Sequence, residues 1–151
     1  MKQLRIIYHS QSAHTESMAQ AVLKGARQED DVETLLLRAF DAGLDDFLAA
    51  DALIFGTPEY FGYMSGALKN FFDHTFYPAQ PHELNLPFAL FVSTGNDGSG
   101  AISNVERIVK GYRLGKLTEP VLSVGELSEH RLVLCEELGL SMAAGTAMGI
   151  F

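Results

Sequence analysis

Five short, nearly continuous apolar runs, each followed by a stretch with helical spacing, constrain this chain more than any other feature. They are Leu4–Tyr8, Val32–Leu37, Ala52–Phe55, Phe88–Val92 and Val121–Val124. A strand with one wet face alternates apolar and polar residues, whereas runs like these suit strands buried on both faces of a parallel sheet. Between them, apolar side chains recur at helical spacing: Met18, Val22 and Ala26 after the first run, Met64, Leu68, Phe71, Phe72 and Thr75 after the third, Ile102, Val105, Ile108 and Val109 after the fourth. Asp45–Ala50 predicts a short helix, and Ser128 is placed to cap a last one through Leu134, Leu138 and Met142. Right-handed crossovers then fold residues 1–151 into one doubly wound, three-layer α/β/α domain around five parallel strands. On this reading the third strand stops at Gly56-Thr57-Pro58, Arg38–Asp41 is a plain connector, and the proline-bearing segment Tyr77–Pro87 is a loop.

Charge narrows the function classes. Lys and Arg total 11 against 19 Asp and Glu, a net charge of −8, so nonspecific binding to nucleic acid is not expected. The single cysteine, Cys135, forms no disulfide framework and falls on an apolar helix face, which suits a core residue in a reducing cytoplasm. The stretch Leu4–Tyr8 is short and holds Arg5, so it is no secretory signal. The uncharged segment Leu138–Phe151 is shorter than the ~20 apolar residues of a membrane span. His74, His82 and His130 lack metal-ligand spacing, and no Ser-His-Asp or Cys-His arrangement is present to act as a nucleophile.

In doubly wound folds, ligands bind at the carboxyl ends of the strands near the point where strand order reverses. Three loops qualify. The first, Ser10-Gln11-Ser12-Ala13-His14-Thr15, puts three hydroxyls at the start of a helix, where free N–H groups and the helix dipole attract an anion. It holds no Lys or Arg, so a phosphate there is met by neutral groups, and it lacks the Gly-Lys-Ser/Thr ending of nucleotide hydrolases. The second, Thr57-Pro58-Glu59-Tyr60-Phe61-Gly62, sets adjacent aromatics beside glycine, which suits a flat conjugated ligand. The third, Ser93-Thr94-Gly95-Asn96-Asp97-Gly98, is a polar cradle for a heterocycle or, equally, a flexible turn.

Gly56-Thr57-Pro58-Glu59-Tyr60-Phe61-Gly62-Tyr63-Met64-Ser65-Gly66 resembles the FMN-binding segment of NAD(P)H-dependent FMN reductases and of tryptophan-repressor-binding-protein-type quinone reductases. The first loop resembles the phosphate loop of flavodoxins, and Val92-Ser93-Thr94-Gly95 their third flavin loop. The resemblance implies a flavodoxin-like fold. It implies FMN with its phosphate on Ser10, Ser12, His14 and Thr15, its ring bordered by Thr57–Gly62 and its pyrimidine side by Ser93–Gly98. It also implies hydride transfer from NAD(P)H to a quinone or similar small acceptor, with no side chain assigned as acid or base. The alternative is one-electron exchange with a redox partner protein, and a homo-oligomer is left open. Two departures stand out: Ala13 takes the place of a flavodoxin glycine, and the third loop has no aromatic.

Overall fold

The computed structural model describes residues 1–151. Its elements are β1 (Lys2–Tyr8), α1 (Ala13–Ala26), β2 (Val32–Arg38), α2 (Leu44–Ala49), β3 (Ala52–Tyr60), β4 (Tyr63–Met64), α3 (Gly66–Ala79), β5 (Pro87–Thr94), α4 (Ser99–Gly111), β6 (Gly115–Lys116), β7 (Val121–Val124) and α5 (Glu129–Met148). The central sheet runs β2-β1-β3-β5, all parallel, and its far edge is shared by β6 and β7, both paired with β5. The sheet is therefore the flavodoxin-like α/β arrangement, with a fifth strand in two pieces.

Two apolar clusters sandwich the sheet. One packs Phe47, Phe55, Phe71, Phe72, Phe88 and Tyr112 under α2, α3 and α4; the other packs Leu4, Ile6, Met18, Val22, Phe91 and Leu138 under α1 and α5. Phe47 stacks on Phe71 and Tyr112 with centroids 5.2 and 4.9 Å apart. Strands β1, β3 and β5 are buried on both faces, while β2, at the edge, alternates in its first half. Cys135 is fully buried, and its thiol is pushed up to about 12 by that burial. No helix is long and apolar enough to cross a membrane.

Four expectations change. Strand β3 runs on through Gly56-Thr57-Pro58 to Tyr60 and turns back into β4, because Thr57 and Pro58 still pair with Val92 and Ser93 of β5. Strand β1 has ended by then, so a proline is tolerated on a strand that is free on one side. Helix α3 continues through Pro78, where only its last turn lacks the proline N–H, and passes into a 3-10 turn at Gln80–His82, so Tyr77–Pro87 is not a loop throughout. The fifth strand gains the separate piece β6. Residues 39–41 form a 3-10 turn, and Arg38 before it reaches back to the first loop.

Candidate functional site

The order β2-β1-β3 reverses direction beside β1, and the loops after β1, β3, β5 and β7 meet at the carboxyl edge of the sheet. They enclose a cleft of about 430 Å³ lined by Ser12, His14, Pro58, Glu59, Tyr60, Ser93, Thr94, Gly95, Gly125 and Glu126. All three loops singled out in the sequence contribute to it. Gly125 and Glu126 were not anticipated. The signal for them was the glycine directly after the fifth apolar run.

The first loop delivers an open helix start. Ser12 is the N-cap of α1, in extended conformation, and its hydroxyl caps nothing. The amides of the first turn are thus left without a side-chain partner, as an anion site requires. Ala13 begins the helix and is absent from the left-handed region, so no glycine is needed there. Ser10 is buried and its hydroxyl donates to the Ser12 carbonyl, and Gln11 is exposed. Thr15 is fully buried, with its hydroxyl bonded to that of Ser93 at 2.6 Å, so it joins the first loop to the third. The loop is braced from behind by Arg38. Its Nη2 donates to the Ser10 carbonyl at 3.0 Å and its Nη1 to Glu16 at 3.2 Å, and Glu16 also accepts from the Tyr8 hydroxyl at 2.9 Å. A cation with a positioning role therefore comes from strand two, which local reading of the first loop had no means of seeing.

The second segment is a hairpin. Tyr60 pairs with Tyr63 across a two-residue tip, Phe61-Gly62, whose φ angles are 53° and 70°. Phe61 is fully exposed there, in a region that costs a non-glycine residue about 1–2 kcal/mol. Thr57 is fully buried and bolts the hairpin: its hydroxyl accepts from the Ser65 N–H at 2.9 Å and donates to the Pro58 carbonyl at 2.8 Å. Burial raises the Tyr60 hydroxyl above its usual pKa, with the backbone of Gln11 pulling the other way.

Glu59 ties the hairpin to the third loop. Its carboxylate accepts from the Thr94 hydroxyl at 2.8 Å and from the Ala101 N–H at 3.1 Å, serving helix α4, whose own N-cap, Gly98, has no side chain to offer. Gly98 sits at φ 74°, and a Cβ there would press on Leu122. Asn96 and Asp97 are exposed. The Asp97 carboxylate accepts from the Ser99 N–H and hydroxyl, which hold its pKa below the usual range. On the other side, the Gly125 N–H donates to the Thr94 carbonyl at 2.8 Å, and Glu126 stands 3.9 Å from the His14 imidazole.

A sequence profile of the NADPH-dependent FMN reductase family matches residues 7–120, the span from β1 to just short of β7 that carries the three loops. The chain belongs to that family. Solved structures share its fold over nearly the whole length. A flavodoxin from the domain Archaea is 23% identical with a TM-score of 0.82, covering 95% of this chain and 98% of its own. A flavodoxin described as WrbA-like, from Agrobacterium tumefaciens, is also 23% identical, with a TM-score of 0.77 and coverages of 98% and 99%. The rubredoxin oxygen:oxidoreductase of Desulfovibrio gigas is 16% identical with a TM-score of 0.84; the match takes in 99% of this chain but 37% of that one. Gly125 and Glu126 of the cleft lie beyond the span that the family profile matches.

Proposed function

We propose that the chain is an FMN-dependent reductase that takes hydride from NAD(P)H and passes it to a quinone or similar small acceptor. The observation that carries the reading is the joining of an uncapped helix start, a bolted hairpin and a polar loop around one cleft. The residues fit FMN. The α1 amides with Ser12 and His14 would hold its phosphate, Pro58, Glu59 and Tyr60 would border its ring, and Ser93–Gly95 would meet its polar edge. When bound, the flavin supplies the chemistry of accepting and releasing hydride. The overall exchange is balanced: NAD(P)H and a proton give two electrons and two protons to the quinone, leaving NAD(P)⁺ and hydroquinone.

What the chain does for that exchange is orient and expose. Tyr60 supplies the only phenyl ring among the ten residues lining the cleft, so the lining would stack at most one such ring on a bound flavin and would leave room for a second flat molecule. The second reading, a one-electron carrier between proteins, draws support from the near-complete overlap with the archaeal flavodoxin. The reducing interior of a cell suits either, given a single buried cysteine. Anaerobic mixing of the FMN-loaded protein with excess NADH or NADPH separates the two. Bleaching of the flavin band within seconds, with parallel-line kinetics toward a benzoquinone, is expected. No bleaching by either nucleotide, with ready reduction by a flavodoxin reductase, would favour the carrier.

A further inference from the structure

The sheet ends on an edge that nothing in the chain covers. Strand β7 pairs with β5 on one side and with no strand on the other, and β6 meets only the start of β5. Just past β7, the Gly125 N–H donates to the Thr94 carbonyl of β5. Main-chain groups alternate sides along a strand, so those of Ser123 also face β5, while those of Leu122 and Val124 face outward without a partner. The strand, Val121-Leu122-Ser123-Val124, holds none of the charges or prolines that blunt an exposed edge, and Val124 is 53% exposed. Between β7 and α5 runs a groove of about 690 Å³, larger than the cleft at the loops, with Leu117, Pro120, Val121, Leu134, Leu138 and Phe151 in its walls. Arg131 and Glu137 line it from α5, three residues to either side of Leu134, and neither forms an ion pair within the chain. Glu119, also in the wall, is held by Lys116 at 3.5 Å.

We propose that a second copy of the chain covers this edge, its β7 laid antiparallel on this one about a twofold axis through Ser123, perpendicular to the sheet. A twofold contact has to be self-complementary, and this patch is so on three counts. With Ser123 on the axis, the outward main-chain groups of Leu122 meet those of the partner's Val124, and the reverse, so every bond of the new ladder falls within β7. The same register sets the exposed Val124 side chain directly across from the partner's Leu122, which is half-buried under α4. Helix α5 packs over β7, where Val121 joins the cluster that holds Leu138, so the two copies of α5 lie side by side and antiparallel on one face of the continued sheet. Where they cross at Leu134, Arg131 stands against the partner's Glu137 and Glu137 against the partner's Arg131, and the free charges of one copy meet those of the other. The apolar groove is closed between them.

Sedimentation equilibrium of the full chain, over a dilution series reaching about 100 μM, reads the association directly. A reversible dimer of twice the 16.5 kDa chain mass is expected. Val124→Pro removes an outward N–H and none of the bonds to β5, so the monomer should keep its circular dichroism while the dimer weakens about tenfold or more. Arg131→Glu and Glu137→Arg, both at exposed positions, each bring like charges together twice per dimer and should weaken it by about tenfold or more. Combined in one chain, the two reversals restore opposite charges across the axis and should restore the native dissociation constant. A monomer at every concentration overturns the proposal. So does a dimer that these variants leave intact, since it would use another face. Single reversals that weaken the dimer without rescue by the double change overturn the twofold pairing of α5. If Val124→Pro fails to fold, the charge-swap series decides alone.

Discussion

At the scale of the residue, the cleft is made of side chains whose roles divide between ligand-facing and load-carrying. Ser12 is free to face a ligand, and Thr15 and Thr57 are not: both are fully buried with their hydroxyls engaged. Replacing Ser12 by Ala should therefore weaken FMN without touching the fold. Loss of a hydrogen bond to a charged group is worth about 1.5–3 kcal/mol, so FMN affinity should drop roughly tenfold to a hundredfold while riboflavin, which has no phosphate, is held as before. Fluorescence titration of the apoprotein with both ligands decides it, and equal weakening would mean that the phosphate lies elsewhere. Phe61 makes the opposite case. Fully exposed with φ 53°, it is held against its backbone preference. Phe61→Gly should leave the apoprotein as stable or up to about 1 kcal/mol more so, because relief of 1–2 kcal/mol of strain outweighs glycine's entropic cost of 0.5–1 kcal/mol. Phe61 is outside the residues that line the cleft, so FMN affinity should stay as it is. Urea melts and the same titration measure the two effects, and a marked loss of stability would show that the ring has a structural contact.

Among elements, the most extensive contact is between α1 and α5, both on one face of the sheet. A Cβ on Gly139 would lie 1.9 Å from the Val22 carbonyl oxygen, and one on Gly25 equally close to that of Glu136. The two glycines let the helix backbones touch, and the opposing atoms are main chain, with little freedom to yield. Gly139→Ala should cost about 1–3 kcal/mol by overpacking. For a domain of this size that is a fall in Tm of roughly 3–10 °C, readable by circular dichroism. An unchanged Tm would mean that the helices slide apart without penalty. The hairpin β3–β4 behaves as an element of the same kind. Its tip is seated on α4, since a Cβ on Gly100 would strike the Gly62 carbonyl. Ser65, which caps α3, donates its N–H to Thr57. The cleft wall is thus anchored to two helices.

For the whole molecule, buried titratable groups shape stability against pH from both sides. His9 is buried at the end of β1 beside Phe40, with Nδ1 unpaired. Desolvation, helped by Arg38, lowers its pKa. The folded chain keeps it neutral where the unfolded chain binds a proton, so stability should fall as pH drops below the ordinary histidine value of about 6.5. At the alkaline end the sign reverses. Cys135 and Tyr112 are pushed up by burial from 9.0 and 10.0 to about 12, so between those values the folded state holds protons that the unfolded state has lost. Stability should then decline as pH rises through that window, by at most about 1.4 kcal/mol per pH unit for each group. Urea denaturation at stepped pH checks both limbs. A flat acid limb in the native chain, or one that His9→Gln leaves as steep, would remove His9 from the account.

The order and type of the elements were legible in the sequence because burial on both sheet faces forces continuous apolar runs and helices force a 3.6-residue rhythm. The loops after β1, β3 and β5 were legible for a related reason: a chain that leaves a parallel sheet at its carboxyl edge enters a ligand crevice whatever its details. Strand ends were not, because Gly56-Thr57-Pro58 has the local chemistry of a turn and is drawn into β3 only by the partner strand beside it. Arg38, Glu126 and the Glu59 bridge to α4 were hidden for the same cause. Each acts on a segment 28 to 112 residues away in the chain, and a local pattern holds no information about a charge or carbonyl that only folding brings within 4 Å.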